Sequence, residues 1–296
     1  MKLKLQFFSL LLGVCCLFSA AHAEEIRIGV LAKNGPAKAL RQWGPTGDYL
    51  TRKMVDHEVR IIPLDFDKVN MAIENNDIDF FLVNSSMFVT AKVKYRASAI
   101  ATMINSRQDL PLESFGGVII TTEYRDDINK IKDLKGKKFG AVKKSSLGGW
   151  QMAYKVFKDH GIDPYRDFSV MKFTGKHDNV VFSVINELVD AGTVRTDTLE
   201  RMAAAGAINM EDFKIINRQN HENFPFVCST ALYPEWPMAK TAITPDALAV
   251  ELTDALKSIK KSDTAARKAK IIGWTDPLDY GPVEVLQKTL GIGVYR

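Results

Sequence analysis

Short runs of β-branched and aliphatic residues alternate along the chain with longer stretches whose apolar positions recur every three or four residues. This alternation predicts an α/β fold, a sheet with crossover helices. Residues 26–31 (IRIGVL) read as a strand and 36–54 as one or two helices interrupted at Gly44-Pro45. Residues 59–64 form a second strand, 66–75 a helix, and 78–83 a third strand that runs into Asn84-Ser85-Ser86. A second series starts at 116–121 (GGVIIT) and passes through a helix near Asp133, a strand over 138–142 and a helix over about 149–160. A strand at 169–173, a helix over 178–187 and the short run 191–194 complete it. Two series of the same order predict twin lobes facing each other across a cleft. Residues 245–260 and 276–290 read as helices with polar faces, and DPLDYGP (276–282) is a breaker-rich loop between them.

The first residues read differently. Lys2 and Lys4 precede an apolar run over 7–18, and Ala21-His22-Ala23 has the small-x-small spacing that signal peptidase accepts. The run is too short for a membrane span, and Leu12-Gly13-Val14-Cys15 lacks the small residue that a lipoprotein signal carries before its cysteine. Residues 1–23 are therefore expected to be a cleaved export signal, and the bacterial periplasm the destination. Removing them lowers the 40 basic residues to 38 against 35 acidic ones, a net charge of +3, which excludes a broad nucleic-acid footprint. Cys15 and Cys16 leave with the signal, so only Cys228 remains and no internal disulfide is available. Core burial must then supply the stability, and a chain of this length buries roughly three quarters of its extended surface.

Ligands of open α/β sheets bind at the carboxyl ends of strands, where loops lead into helix N-termini. Three hydroxyl-rich loops hold that position: Asn84-Ser85-Ser86, Lys144-Ser145-Ser146 and Thr193-Val194-Arg195-Thr196. They are expected to converge on one ligand. In KKSSLGGW (143–150) the first amides of a helix lack internal partners and carry the positive end of its dipole. Ser145 and Ser146 add donors, and Gly148-Gly149 admits close approach of an anion. The same residues also make a plain helix cap. G-x-x-x-x-G-K-[ST] is absent, which argues against nucleotide hydrolysis. His177 and Lys176 precede Asp178, the expected N-cap of the next helix. Arg195 is placed to grip an oxyanion with its guanidinium fork, ahead of Asp197 and Glu200, which read as a capping pair. Cys228 is either a small buried hydrophobe or a nucleophile served by His177 or His221. His57, His160, His177 and His221 show no metal-ligand spacing, so neither metal nor cofactor is expected.

The segments IRIGV, IDFFLVNSS, DLKGKKFGAVKKSSLGGW, GKHDNVVFSVINELVDAGTVRT and FPFVCSTALYPEWPMA together resemble periplasmic binding proteins of the phosphonate-binding type. RQWGPTGDYL, GTVRTDTLERM, YPEWPMA and PLDYGPVEVLQKTLGIGVYR are most similar to the sensory input domains of tetrathionate-sensor histidine kinases. The resemblance implies a two-lobed, type II venus-flytrap fold, each lobe a mixed sheet flanked by helices. Lobe 1 would hold residues 24–115, lobe 2 residues 116–224, and 225–296 would return to lobe 1. It carries ligand contact onto Asn84, Ser85, Ser86, Ser145, Ser146, the backbone at Leu147 and Gly148, His177 and Asp178. Aminophosphonate binders look acidic after the DAG-x-V block, where this chain has Arg195, so a fully anionic oxyanion fits better than a zwitterion. Cys228, near the return crossing, would suit a thiophilic sulfur ligand.

The expectation is a non-enzymatic, monomeric receptor for a phosphonate-like or sulfur oxyanion. It would serve an ABC permease or a membrane histidine kinase, either as a stand-alone binding protein or as an isolated input domain. An exported hydrolase or transferase using Cys228 is the competing reading.

Overall fold

A computed structural model describes residues 23–296. Residues 1–22, which hold all but the last residue of the expected export signal, lie outside the described residues. In chain order the strands are β1 (Glu24–Leu31), β2 (His57–Leu64), β3 (Phe80–Leu82), β4 (Ser98–Arg107), β5 (Leu110–Leu112), β6 (Ser114–Phe115) and β7 (Gly117–Thr122). They continue as β8 (Lys138–Ala141), β9 (Val170–Phe173), β10 (Ala191–Arg195), β11 (Phe213–Ile216), β12 (Tyr233–Pro234), β13 (Pro237–Lys240) and β14 (Ile271–Thr275).

Two sheets result. One runs β14-β4-β13-β3-β1-β2 with β5 beside β4, and the other β11-β7-β10-β8-β9. In the first, β1 is parallel to β2 and β3, while β13 pairs antiparallel with β3 and β4. In the second, β8 is parallel to β9 and β10, and β7 is antiparallel to β10 and β11. The first sheet draws on residues 24–112 and 237–275, the second on 117–216. The two crossings between them are themselves paired, β6 against β12. Phe115 of that short ribbon lines the cleft.

The strands are apolar because helices cover both faces. Ile26, Ile28 and Val30 of β1 are buried, as are Phe80, Phe81 and Leu82 of β3. In the second lobe Val118, Ile120 and Val194 pack against Val180, Val181 and Val184 of helix His177–Ile185. Each such side chain contributes about 1.5–3 kcal/mol on burial. Among the described residues no helix is long and apolar enough to cross a membrane.

Three local expectations need correction. Pro36–Lys53 is a single helix with Pro45 inside it: Gly44-Pro45 costs one backbone hydrogen bond, and the buried face carrying Trp43 and Leu50 holds the helix together across it. Asp178 does not cap its helix, which begins at His177 after an extended Lys176; its carboxylate pairs with Arg201 instead. Asp197 has φ 72° and no capping bond, because its carboxylate turns to Arg107 at 3.0 Å, while Glu200 accepts from the Val227 N–H at 2.8 Å.

Candidate functional site

A cleft of about 240 Å³ lies between the two sheets. Four loops meet there, each leaving the carboxyl end of a strand. Lys33 and Asn34 follow β1, Asn84 follows β3, Ser146, Leu147 and Gly148 follow β8, and Arg195 closes β10 with Asp197 just beyond. His177 and Asp178 enter from the start of their helix, and Arg107 from the end of β4. The lobes touch across this space: Asn84 Nδ2 donates to the Ser145 carbonyl at 3.4 Å, and Lys143 Nζ lies 4.8 Å from the Phe66 ring centroid.

Local geometry decides which polar atoms remain for a ligand. Asn84 Oδ1 accepts from the Ser86 and Met87 N–H groups, capping helix Ser85–Tyr95, and one N–H of its amide goes to Ser145, so the second N–H is what remains for a ligand. Ser146 Oγ accepts from the Gly149 N–H at 3.2 Å, which leaves its proton to donate. Past Ser146 the chain enters a π-turn, Leu147–Gln151, that runs straight into helix Met152–Asp159. The Leu147 and Gly148 amides lie at its open end, where no carbonyl of the turn reaches them. The glycines are also required by packing. A Cβ on Gly149 would stand 2.5 Å from Val142 and 2.7 Å from Ser146 Oγ, and one on Gly148 2.9 Å from Phe115. Their smallness lets the turn pack on its own lobe and on the crossing ribbon.

His177 Nδ1 accepts the Arg195 N–H at 3.1 Å, so the ring proton belongs on Nε2. Burial first, then the nearby charges of Lys33, Arg195, Arg201 and Arg107, hold the imidazole well below its usual pKa. The ring is a neutral donor at pH 7.

Arg195 is 6 % exposed and lies with its guanidinium carbon 4.1 Å from the Phe115 ring centroid. Its fork is taken by Glu235, a wholly buried carboxylate that also accepts from Asn105 Nδ2 at 2.9 Å. Burial works against the Arg195 charge, but Glu235 and Asp197 outweigh it and hold the guanidinium protonated. Arg107, Asp197, Arg195 and Glu235 thus form a ladder that starts and ends on β4, at Arg107 and Asn105. Seven basic side chains line the cleft (Lys33, Lys38, Arg107, Lys176, Arg195, Arg201, Lys270) against two acidic ones, Asp178 and Asp197, and both acids are already paired with arginines. The cleft therefore suits an anion.

Of the residues singled out from the sequence, Asn84, Ser146, Leu147, Gly148, His177, Asp178 and Arg195 line this space. Ser145 borders it through its carbonyl. Ser85, Ser86 and Cys228 lie elsewhere. Ser85 Oγ donates to the Pro234 carbonyl at 2.6 Å, and Ser86 Oγ accepts from Gln287 at 2.8 Å. The Cys228 thiol is 1 % exposed and donates to the Thr230 carbonyl at 3.2 Å, with burial raising its pKa. Sequence reasoning passed over Lys33, although the strand-end rule applied to β1 leads to it. It also missed Arg107, Glu235 and Trp236; an acidic residue inside the apolar run YPEWPM was the available signal for Glu235.

The model of the family described as the ABC transporter, phosphonate, periplasmic substrate-binding protein matches residues 28–279. The chain belongs to this family. Its members bind substrates rather than transform them, and the family is periplasmic. The tetrathionate sensor histidine kinase TtrS of Salmonella typhimurium is 30 % identical over 280 residues, 94 % of this chain and 46 % of the kinase, so the chain spans about half that relative's length. Among solved structures, PhnD1 of Prochlorococcus marinus in complex with methylphosphonate superposes with a TM-score of 0.71 at 14 % identity, covering 91 % of this chain and 99 % of PhnD1. The periplasmic aliphatic sulphonate binding protein SsuA of Escherichia coli gives 0.55 at 12 % identity, covering 91 % and 75 %. These two likenesses establish the type II periplasmic binding fold.

Proposed function

We propose that the chain is exported through cleavage of residues 1–23 and reversibly captures a small, fully ionised oxyanion in the cleft. A sulfur oxyanion of the tetrathionate class is the foremost ligand, and the captured state is read by a membrane histidine kinase or an ABC permease. The lobes divide near residues 115 and 224, with the β6–β12 ribbon as the hinge. The observation that carries this reading is the donor surface of the cleft. His177, Ser146, Asn84, Leu147 and Gly148 line a space whose charged lining is mostly basic, and His177 Nε2–H, the Ser146 hydroxyl and the second N–H of the Asn84 amide are available there to donate. The greater identity to a tetrathionate sensor than to the phosphonate binders favours sulfur over phosphorus.

Hydrogen bonds made from both lobes are complete only when the lobes are together, so the ligand stabilises the closed form by that difference in affinity. A thermal-shift panel of tetrathionate, thiosulfate, sulfate, methylphosphonate and phosphate tests the reading. A ligand at about a hundredfold excess over its Kd adds about 2.7 kcal/mol of stability. No shift with any of the five contradicts it.

A further inference from the structure

The basic side chains of the cleft are not equivalent. Arg107 is paired with Asp197, Arg195 with Glu235 and Asp197, and Arg201 with Asp178. Lys38, Lys176 and Lys270 are exposed to solvent, where water and salt screen them. Lys33 is different on both counts: it is half-buried, and among the described residues it forms no ion pair. Its Nζ lies 5.0 Å from the Trp236 ring centroid, with Arg107 from β4 and Arg195 from β10 close enough to repel it. Asp197 and Glu235 pull the other way, but each is committed to an arginine. His177 faces the same space as a neutral ring, and Lys38 approaches from the helix after β1.

Resting on the oxyanion reading above, we propose that Lys33, rather than Arg195, meets the ligand's charge, and that capture of the anion draws a proton from solvent onto its amine. Arg195 has its fork filled by Glu235 and cannot turn it to a ligand without leaving that buried carboxylate with only the neutral Asn105 amide as partner. Lys33 needs no such exchange, because an incoming anion supplies the partner it lacks. Burial first, then Arg107 and Arg195, hold the amine at a pKa of about 7 in the free cleft. An adjacent anion favours the charged form and raises it. Below the free-state pKa the amine is already charged and affinity is flat. Above it, each bound anion must bring in a proton, and affinity falls as pH rises.

Calorimetric titration with thiosulfate and tetrathionate, dianions that carry no proton near neutrality, tests this between about pH 6 and about pH 9 in two buffers of different ionisation enthalpy. Wild-type affinity should hold below about pH 7 and fall by up to about tenfold per pH unit above it, with proton uptake shown by the buffer dependence. Lys33→Met should bind on the order of a hundredfold more weakly at neutral pH, with a flat profile and no proton uptake. Lys33→Arg, charged throughout, should keep binding at about pH 9 where the wild type loses it. Ligand-free Lys33→Met should also melt higher than the wild type at neutral pH, since a lysine whose folded pKa is depressed costs stability at any pH below its unfolded value. A flat wild-type profile without proton uptake, or wild-type affinity in Lys33→Met, overturns the role of Lys33 and leaves the oxyanion reading standing. Failure of the wild type to bind any sulfur oxyanion or phosphonate overturns both.

Discussion

Two loops of nearly the same sequence, Asn84-Ser85-Ser86 after β3 and Lys144-Ser145-Ser146 after β8, face each other across the cleft and use their hydroxyls in opposite ways. In the first, the serines point back into the protein: Ser85 holds the return crossing at Pro234, and Ser86 receives Gln287 from helix Gly281–Leu290. Only Asn84 faces the cleft, with its oxygen spent on the helix cap. In the second, Ser146 both caps and lines the cleft, ahead of a π-turn whose Leu147 and Gly148 line it too. What lies behind each loop makes the difference. The first is backed by the returning chain and by Glu235, whose carbonyl takes Ser85 and Tyr280 and whose carboxylate takes Arg195. A hydroxyl at a strand end is taken up by the fold where a second segment packs on it, and lines the cleft where none does.

The contrast breaks most readily at Glu235. Glu235→Ala empties the fork of buried Arg195, leaving only the more distant Asp197, already shared with Arg107, as counter-charge, and should destabilise the protein by about 3–5 kcal/mol in urea unfolding. Ser85→Ala removes a wholly buried hydrogen bond and should cost about 1–3 kcal/mol, with ligand affinity of the folded protein unchanged. Ser146→Ala should show the reverse balance: about 1 kcal/mol from the lost cap, with affinity lower by about tenfold. Ser145→Ala should be the smallest, within about 0.5 kcal/mol, because the backbone carbonyl and not the hydroxyl meets Asn84. His177 adds a pH dependence. Its folded pKa is depressed while the unfolded ring titrates normally, so only the unfolded chain takes up this proton near pH 6, and stability should fall as pH drops below about 6.5. His177→Gln should flatten that slope in unfolding curves taken at a series of pH values.

Much of this was legible in the sequence because it is local. The strand and helix alternation, and the rule that ligands gather at strand carboxyl ends, led to Asn84, Ser146, His177 and Arg195, and the same rule applied to β1 would have led to Lys33. What was not legible is what distant residues do to these groups. The fork of Arg195 is filled by Glu235, forty residues on, and Asp197 is turned from capping to ion pairing by Arg107. Neither pairing leaves a mark within a window of residues. The helix over Pro36–Lys53 survives Pro45 for a similar reason, since packing of Trp43 and Leu50 outweighs the local cost. The first loop's serines were misread because nothing in Asn84-Ser85-Ser86 announces the chain that returns behind it.

The proposed function is reversible capture of an oxyanion between the two loops. Its most direct test is a calorimetric titration of the chain with tetrathionate, followed by analysis of the anion recovered afterwards. Reversible capture requires saturable binding at one site per chain, weakened in Ser146→Ala, with the tetrathionate recovered intact. Absence of binding, or conversion of the anion into products, would contradict it.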